Sequence, residues 1–241
     1  MFQMLEQLQA DAGIFQFTLT FFYNFDNFIY SKLQQFKHNI ITEVLTMKQE
    51  SIDIIFLLDR SGSMYGSEKD TIGGFNSFIK DQKKKEVQAK VTTILFDHGY
   101  EILYKRKDLY DVEDLTETEY YVRGSTALLD AIGKTIITMD REIDNDVLFV
   151  ITTDGYENSS KEFTKSQIKN MIINHSWEFI YLGADIDSYA EAAGIGIRQD
   201  RTANYEKTHD GINQMYEAMS DVSFNLYKNK AIDKSWKEGL E

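Results

Sequence analysis

The sequence predicts an α/β protein: a doubly wound, mostly parallel sheet with one antiparallel edge strand and helices on both faces. Three observations carry this prediction. Ile52 to Leu58 and Val147 to Ile151 are near-continuous apolar runs, the pattern of strands covered on both faces in a parallel sheet. Between such runs lie segments with apolar residues at helical spacing, so strand and helix alternate along the chain. Val91 to Phe96 and Tyr100 to Tyr104 flank Asp97-His98-Gly99, a turn sequence that specifies a hairpin and hence the antiparallel pair.

The elements follow in order. Residues 1–46 read as an amphipathic N-terminal extension. Phe2, Leu5 and Leu8 recur at helical spacing, as do Phe36, Ile40, Ile41, Val44 and Leu45, on either side of a Phe-rich stretch. Two amphipathic helices docked on the domain or on a partner would account for this; so would a true translation start at Met47, with the extension upstream of it. The domain proper is expected over residues 47–227. After the first strand, Ser67 to Lys85 places Ile72, Phe75, Phe78 and Ile79 on one helical side and ends in Lys83, Lys84 and Lys85, which suit a helix C-terminus. Tyr120-Tyr121-Val122 is strand-like, and a helix follows Gly124-Ser125-Thr126 through Met139. A second buried strand ends at Thr152-Thr153-Asp154-Gly155; then come a helix over Thr164 to Asn174, a strand over Trp177 to Leu182 and a short helix over Ser188 to Ala193. A last strand is expected at Thr202 to Tyr205, and a helix over Thr208 to Tyr227 with Ile212, Met215, Met219 and Phe224 inward. Residues 228–241 read as a charged, frayed tail.

Composition narrows the function. With 42% hydrophobic residues in 241, the chain can bury a sizeable core. The net charge of −13 argues against nucleic acid or an anionic membrane surface as partner, because the long-range field repels both. There is no Cys, which excludes disulfides and thiolate metal sites. Residues 1–13 contain Glu6 and Asp11 and no Lys or Arg, so no basic leader region is read there. Ile14 to Tyr30 is interrupted by Gln16, Asn24, Asp26 and Asn27, too short and too polar to span a bilayer. A cytoplasmic protein is the expectation.

Chemistry concentrates at three strand ends. Asp59-Arg60-Ser61-Gly62-Ser63 places a carboxylate and two hydroxyls at alternate positions directly after the first strand. Thr126, preceded by Gly124 and Ser125, supplies a third hydroxyl, and Asp154, followed by Gly155, a second carboxylate. In open parallel sheets ligands bind beyond the carboxyl ends of the strands, where the strand order reverses. Hard oxygens there suit Mg²⁺, Mn²⁺ or Ca²⁺. Glu157 and Asn158 stand close enough in sequence to touch a ligand or its water. The histidines show no zinc spacing, and Gly194-Ile195-Gly196 lacks the third glycine of a dinucleotide fingerprint.

Asp59-Arg60-Ser61-Gly62-Ser63-Met64, Gly124-Ser125-Thr126 and Thr152-Thr153-Asp154-Gly155 resemble, in order and spacing, the three parts of the metal-ion-dependent adhesion site (MIDAS) of von Willebrand factor type A (vWA) domains. The stretch from Met47 to Tyr205 looks like small intracellular bacterial and prophage proteins of that family. The resemblance implies a Rossmann-like vWA fold and a protein-interaction module rather than an enzyme. Ser61, Ser63 and Thr126 would bind the cation directly, Asp59 and Asp154 largely through water, and an Asp or Glu of a partner protein would complete its sphere. Gly124, Ser125, Gly155 and Glu157 would surround it. The partner suggested is an AAA+ ATPase or a component encoded nearby. Arg60 and Arg123 either attract that partner's carboxylate or pair with nearby acids. Two alternatives stay open: a Mg²⁺-dependent hydrolase using the same site, with only Glu157 or His98 as base, and a structural subunit whose cation merely staples three loops.

Overall fold

The computed structural model describes residues 28–37 and 51–240. The chain divides into two units, Met1–Gln49 and Glu50–Glu241. In the first, residues 28–37 form a helix (α1) with Phe28, Tyr30, Leu33 and Phe36 exposed. The other apolar positions read above as helical, from Phe2 to Leu8 and from Ile40 to Leu45, lie outside the described residues, as does Met47.

In the second unit, strands β1 (Ile52–Asp59), β2 (Ala89–Phe96), β3 (Tyr100–Asp108), β4 (Asp146–Thr153), β5 (Glu178–Gly183) and β6 (Thr202–Asn204) form one sheet in the order β3-β2-β1-β4-β5-β6. All neighbours pair in parallel except β2 and β3, which form the expected antiparallel hairpin at one edge. Helices α2 (Glu68–Lys84), α3 (Leu128–Met139), α4 (Lys165–Ile173), α5 (Ser188–Gly194) and α6 (His209–Asn229) fill the connections and the C-terminal region.

Every residue of β1 is buried, so the strand feeds two cores at once. Successive side chains point to opposite faces. Ile54, Phe56 and Leu58 pack with Phe75 and Phe78 of α2 and Met215 and Met219 of α6. Ile55 and Leu57 pack with Leu128, Ile132 and Ile136 of α3 and Ile168 of α4. Phe56 meets Phe78 and Phe75 edge-on at centroid distances of 4.8 and 5.5 Å. Burying one such ring stabilises the fold by roughly 1.5–3 kcal/mol. Helix starts are set locally: Thr164 and Gln167 form a reciprocal capping box on α4, and the Thr208 hydroxyl accepts from Gly211 N at the start of α6.

Two expectations are corrected. Tyr120-Tyr121-Val122 is an irregular loop, not a strand. Both edges of β1 are already taken by β2 and β4, so no ladder near it is free; Tyr120 instead buries its ring and donates its hydroxyl to the Asp59 carbonyl. Residues 230–240 do not fray. Ile232 is buried, Trp236 Nε1 donates to Asp200 O at 2.9 Å, and Lys237 Nζ donates to Thr202 O at 3.0 Å. Two apolar anchors in a charged background hold this segment to the sheet edge.

The strand order winds one way from β1 to β2 and the other way through β4, β5 and β6. The carboxyl ends of β1 and β4 therefore border the crevice where ligands bind in such sheets.

Candidate metal centre

β1 ends on Asp59, and both of its carboxylate oxygens are held. Ser61 N donates to Oδ1 at 2.7 Å, and the hydroxyl of Thr153, at the end of β4, donates to Oδ2 at 2.6 Å. Burial pushes the Asp59 carboxyl up to about 6; the bonds from Thr153 and Ser61 oppose the rise, and the Asp154 charge adds to it.

From Asp59 the chain turns through a short 3-10 segment, Gly62–Met64, and meets the second loop backbone to backbone: Gly62 N donates to Gly124 O at 3.0 Å. Gly124 has φ +71°, and a Cβ there would lie 2.0 Å from His98 Nδ1, so only glycine lets the loop pass. Thr126 is fixed next. Its N–H donates to Asn158 Oδ1 at 3.0 Å, and its carbonyl accepts from Asn158 N and Ser159 N. Its hydroxyl donates to Ser61 Oγ at 2.9 Å, and Ser61 Oγ lies 3.0 Å from Ser63 Oγ. Three hydroxyls from two loops thus converge.

The third loop brings Asp154, 5% exposed, and Gly155. A Cβ on Gly155 would stand 2.8 Å from Ser63 Oγ and 3.1 Å from Thr126 Oγ1, so the missing side chain keeps a cradle open over the hydroxyls. Lys207 Nζ, from the β6–α6 loop, is 2.6 Å from Asp154 Oδ2. Neither Asp154 oxygen receives a directed hydrogen bond, so this contact is ionic. The same ammonium donates to the Ser63 carbonyl.

The neighbouring residues have other duties. Ser125 is exposed beside Thr126. Glu157 accepts from Leu129 N at 3.0 Å, from Ser159 N and Ser160 N at 2.9 and 2.7 Å, and from Ser160 Oγ, so its carboxylate caps α3. Arg60 and Arg123 pair with one buried acid: their Nε atoms lie 3.0 and 2.7 Å from Asp97 Oδ2. Burial alone would raise Asp97, but Arg123, the Gly99 N–H and Arg60 together hold it below the usual carboxylate range. This hairpin acid ties two of the three loops. Sequence marks Asp97 only as a hairpin turn residue and Thr153 only as a neighbour of Asp154, and it gives Lys207 no part in the site. Thr153 was findable: Leu58 pairs with Thr152, which puts the next residue beside Asp59. Nothing local marks Lys207.

Among the described residues no three His, Cys, Asp or Glu side chains converge. The donor set here is two carboxylates and three hydroxyls. It is all hard oxygen, it includes buried Asp154 oxygens without hydrogen-bond donors, and an open cradle faces it. A hard divalent cation fits these residues.

No protein-family model matches the chain. No curated protein matches it in sequence. Solved structures share its fold. A von Willebrand factor type A structure from Catenulispora acidiphila aligns with a TM-score of 0.55 at 14% identity, over 73% of this chain and 43% of its own. The ArnB paralog VWA2 from Sulfolobus acidocaldarius gives 0.52 at 14% identity, over 72% and 45%. Proximal thread matrix protein 1 from the mussel byssus gives 0.56 at 14% identity, over 73% and 46%, in a structure described as having a zinc-occupied MIDAS motif. The chain spans less than half the length of each of these. At such identities the likeness is one of fold, and the fold is that of vWA domains.

Proposed function

We propose that the chain is a divalent-cation-dependent protein-interaction module. Ser61, Ser63 and Thr126, with Asp59 and Asp154, would hold Mg²⁺, or Mn²⁺ or Ca²⁺, and an Asp or Glu side chain of a partner would complete the sphere. One observation carries this reading: three neutral hydroxyls converge within 3.0 Å of one another in sequence, Thr126 to Ser61 to Ser63, between two buried carboxylates. Neutral donors leave much of a cation's charge uncompensated, and when bound the cation supplies a positive centre for the incoming carboxylate.

The chain's own residues set that centre. Thr153 and the Ser61 N–H orient Asp59, Asn158 holds the Thr126 loop, and Asp97 braces the loops of Arg60 and Arg123. Binding is favoured over hydrolysis because neither candidate base is free for the work. Glu157 is consumed in capping α3, and His98 lies 3.3 Å from Asp97 at an exposed turn. The zinc-occupied motif of a structural neighbour supports a divalent ion. Among the described residues no helix is long and apolar enough to cross a membrane. The partner class suggested by the resemblance is an AAA+ ATPase.

The test is affinity capture with the full chain, with and without EDTA, beside Asp59→Ala and Thr126→Ala. Capture of a partner should require the cation and both residues. Capture that persists through EDTA and both substitutions would remove the proposal.

A further inference from the structure

We infer that Lys207 is a tethered internal cation that competes with the divalent ion for Asp154 and so sets the affinity of the site. The inference rests on the metal reading given above. Lys207 Nζ contacts two of the three site loops at once, Asp154 Oδ2 at 2.6 Å and the Ser63 carbonyl. The Asp154 side chain is 1% exposed and its oxygens have no directed hydrogen bond, so this ammonium is the charge that compensates it. A buried carboxylate without compensation is costly, and its neighbour Asp59 is a second buried acid.

The lysine is held to its task from both sides. Tyr205 N, two residues earlier, donates to Gly183 O at the end of β5, and Thr208, the next residue, caps α6. The backbone around Lys207 is thus pinned to the sheet and to a helix. The side chain reaches back into the site from there, with only about a quarter of its surface exposed.

A divalent ion seated by Ser61, Ser63 and Thr126 would draw on the same Asp154 carboxylate, directly or through water. Either the ammonium leaves or the two positive charges stay within a few ångströms. Both lower the apparent affinity, and charges that close in a partly buried site interact by at least a factor of roughly ten in binding. Removing the lysine therefore has two opposite effects: the metal-free protein loses the partner of Asp154, and the site gains affinity for the cation. A lysine with a purely structural role would give only the first.

The experiment is calorimetric titration with Mg²⁺ and Mn²⁺, and thermal unfolding in EDTA, on the full chain as wild type, Lys207→Met and Lys207→Arg. Lys207→Met should bind both ions about tenfold or more tightly and melt lower in EDTA, while Lys207→Arg stays near wild type in both. If wild type and Lys207→Met bind the ions equally, or Lys207→Met binds them more weakly, the competitor role is overturned and the metal reading stands. If neither protein binds either ion, the metal reading falls and the inference falls with it.

Discussion

The Thr153 hydroxyl donates to Asp59 Oδ2 at 2.6 Å, joining the ends of two adjacent parallel strands through a fully buried pair. The bond fixes which oxygens of Asp59 face the hydroxyl cluster. Thr153→Val keeps the shape and removes the donor. It should destabilise the protein by roughly 1–3 kcal/mol, the usual cost of leaving a buried acceptor unpaired. Mg²⁺ affinity should fall about tenfold, as for other residues that orient a ligand from behind. Urea denaturation in EDTA and calorimetric titration measure the two effects separately.

Asp59 makes the metal-free protein sensitive to pH in an unusual direction. Burial raises its carboxyl to about 6 in the fold from an ordinary value of 3.8, so the folded state holds the proton more tightly than the unfolded state. As pH rises through this interval, the group's contribution to stability is lost. Asp59→Asn retains a carbonyl for the Ser61 N–H and an amide for the Thr153 hydroxyl. In EDTA it should be more stable than wild type at pH 7.5 by on the order of 2–3 kcal/mol, with the difference vanishing near pH 4. A pH series of unfolding midpoints for both proteins checks this. Cation binding to wild type should weaken below about pH 6 by proton competition.

Gly155 separates stability from binding. Its substitution by Ala places a methyl 2.8 Å from Ser63 Oγ and 3.1 Å from Thr126 Oγ1. A serine hydroxyl at a loop can rotate away, so the loss of stability should stay under about 1 kcal/mol. The rotated hydroxyls no longer converge, and cation affinity should drop at least about tenfold. Thermal unfolding with and without Mg²⁺ reads both: a midpoint in EDTA near wild type, and no upward shift on adding the ion.

Asp97 is the buried acid between two arginines. Arg60 is also buried and keeps only the half-exposed Glu101 as an acid partner, at 2.7 Å, so Asp97→Ala leaves its Nε unpaired and should cost about 3 kcal/mol. Arg123 is 44% exposed, so its pairing is screened by water and Arg123→Gln should unfold close to wild type. Chemical denaturation of the two variants tests the asymmetry.

The sheet was readable because strands buried on both faces leave unbroken apolar runs, and the site loops because their oxygen ligands follow those runs within a few residues. Asp59 and Ser61, for example, are coupled by a local turn that any sequence of this type forms. What escaped the reading depends on partners distant in sequence. Tyr120 has the composition of a strand, but the neighbouring edges are occupied and its ring is drawn into the core. Glu157 offers the acid a ligand site would use, and the start of α3 claims it first. Lys207 reaches a carbonyl 144 positions earlier, a pairing that no window of sequence contains. Trp236 pins a segment whose charge pattern looks mobile, because its indole N–H finds the Asp200 carbonyl.

The two margins of the sheet bear on how copies of the chain can associate. One margin, β3, carries Lys105, Arg106 and Lys107 in succession, with Arg106 at φ +46° and shifts in register against β2. The other, β6, is three residues long, and the Lys237 ammonium caps its first carbonyl. The charged, irregular half of β3 and the shortness of β6 both disfavour pairing with a further strand. This unit is guarded against edge-to-edge polymerisation, which favours assemblies built from side chains and loops.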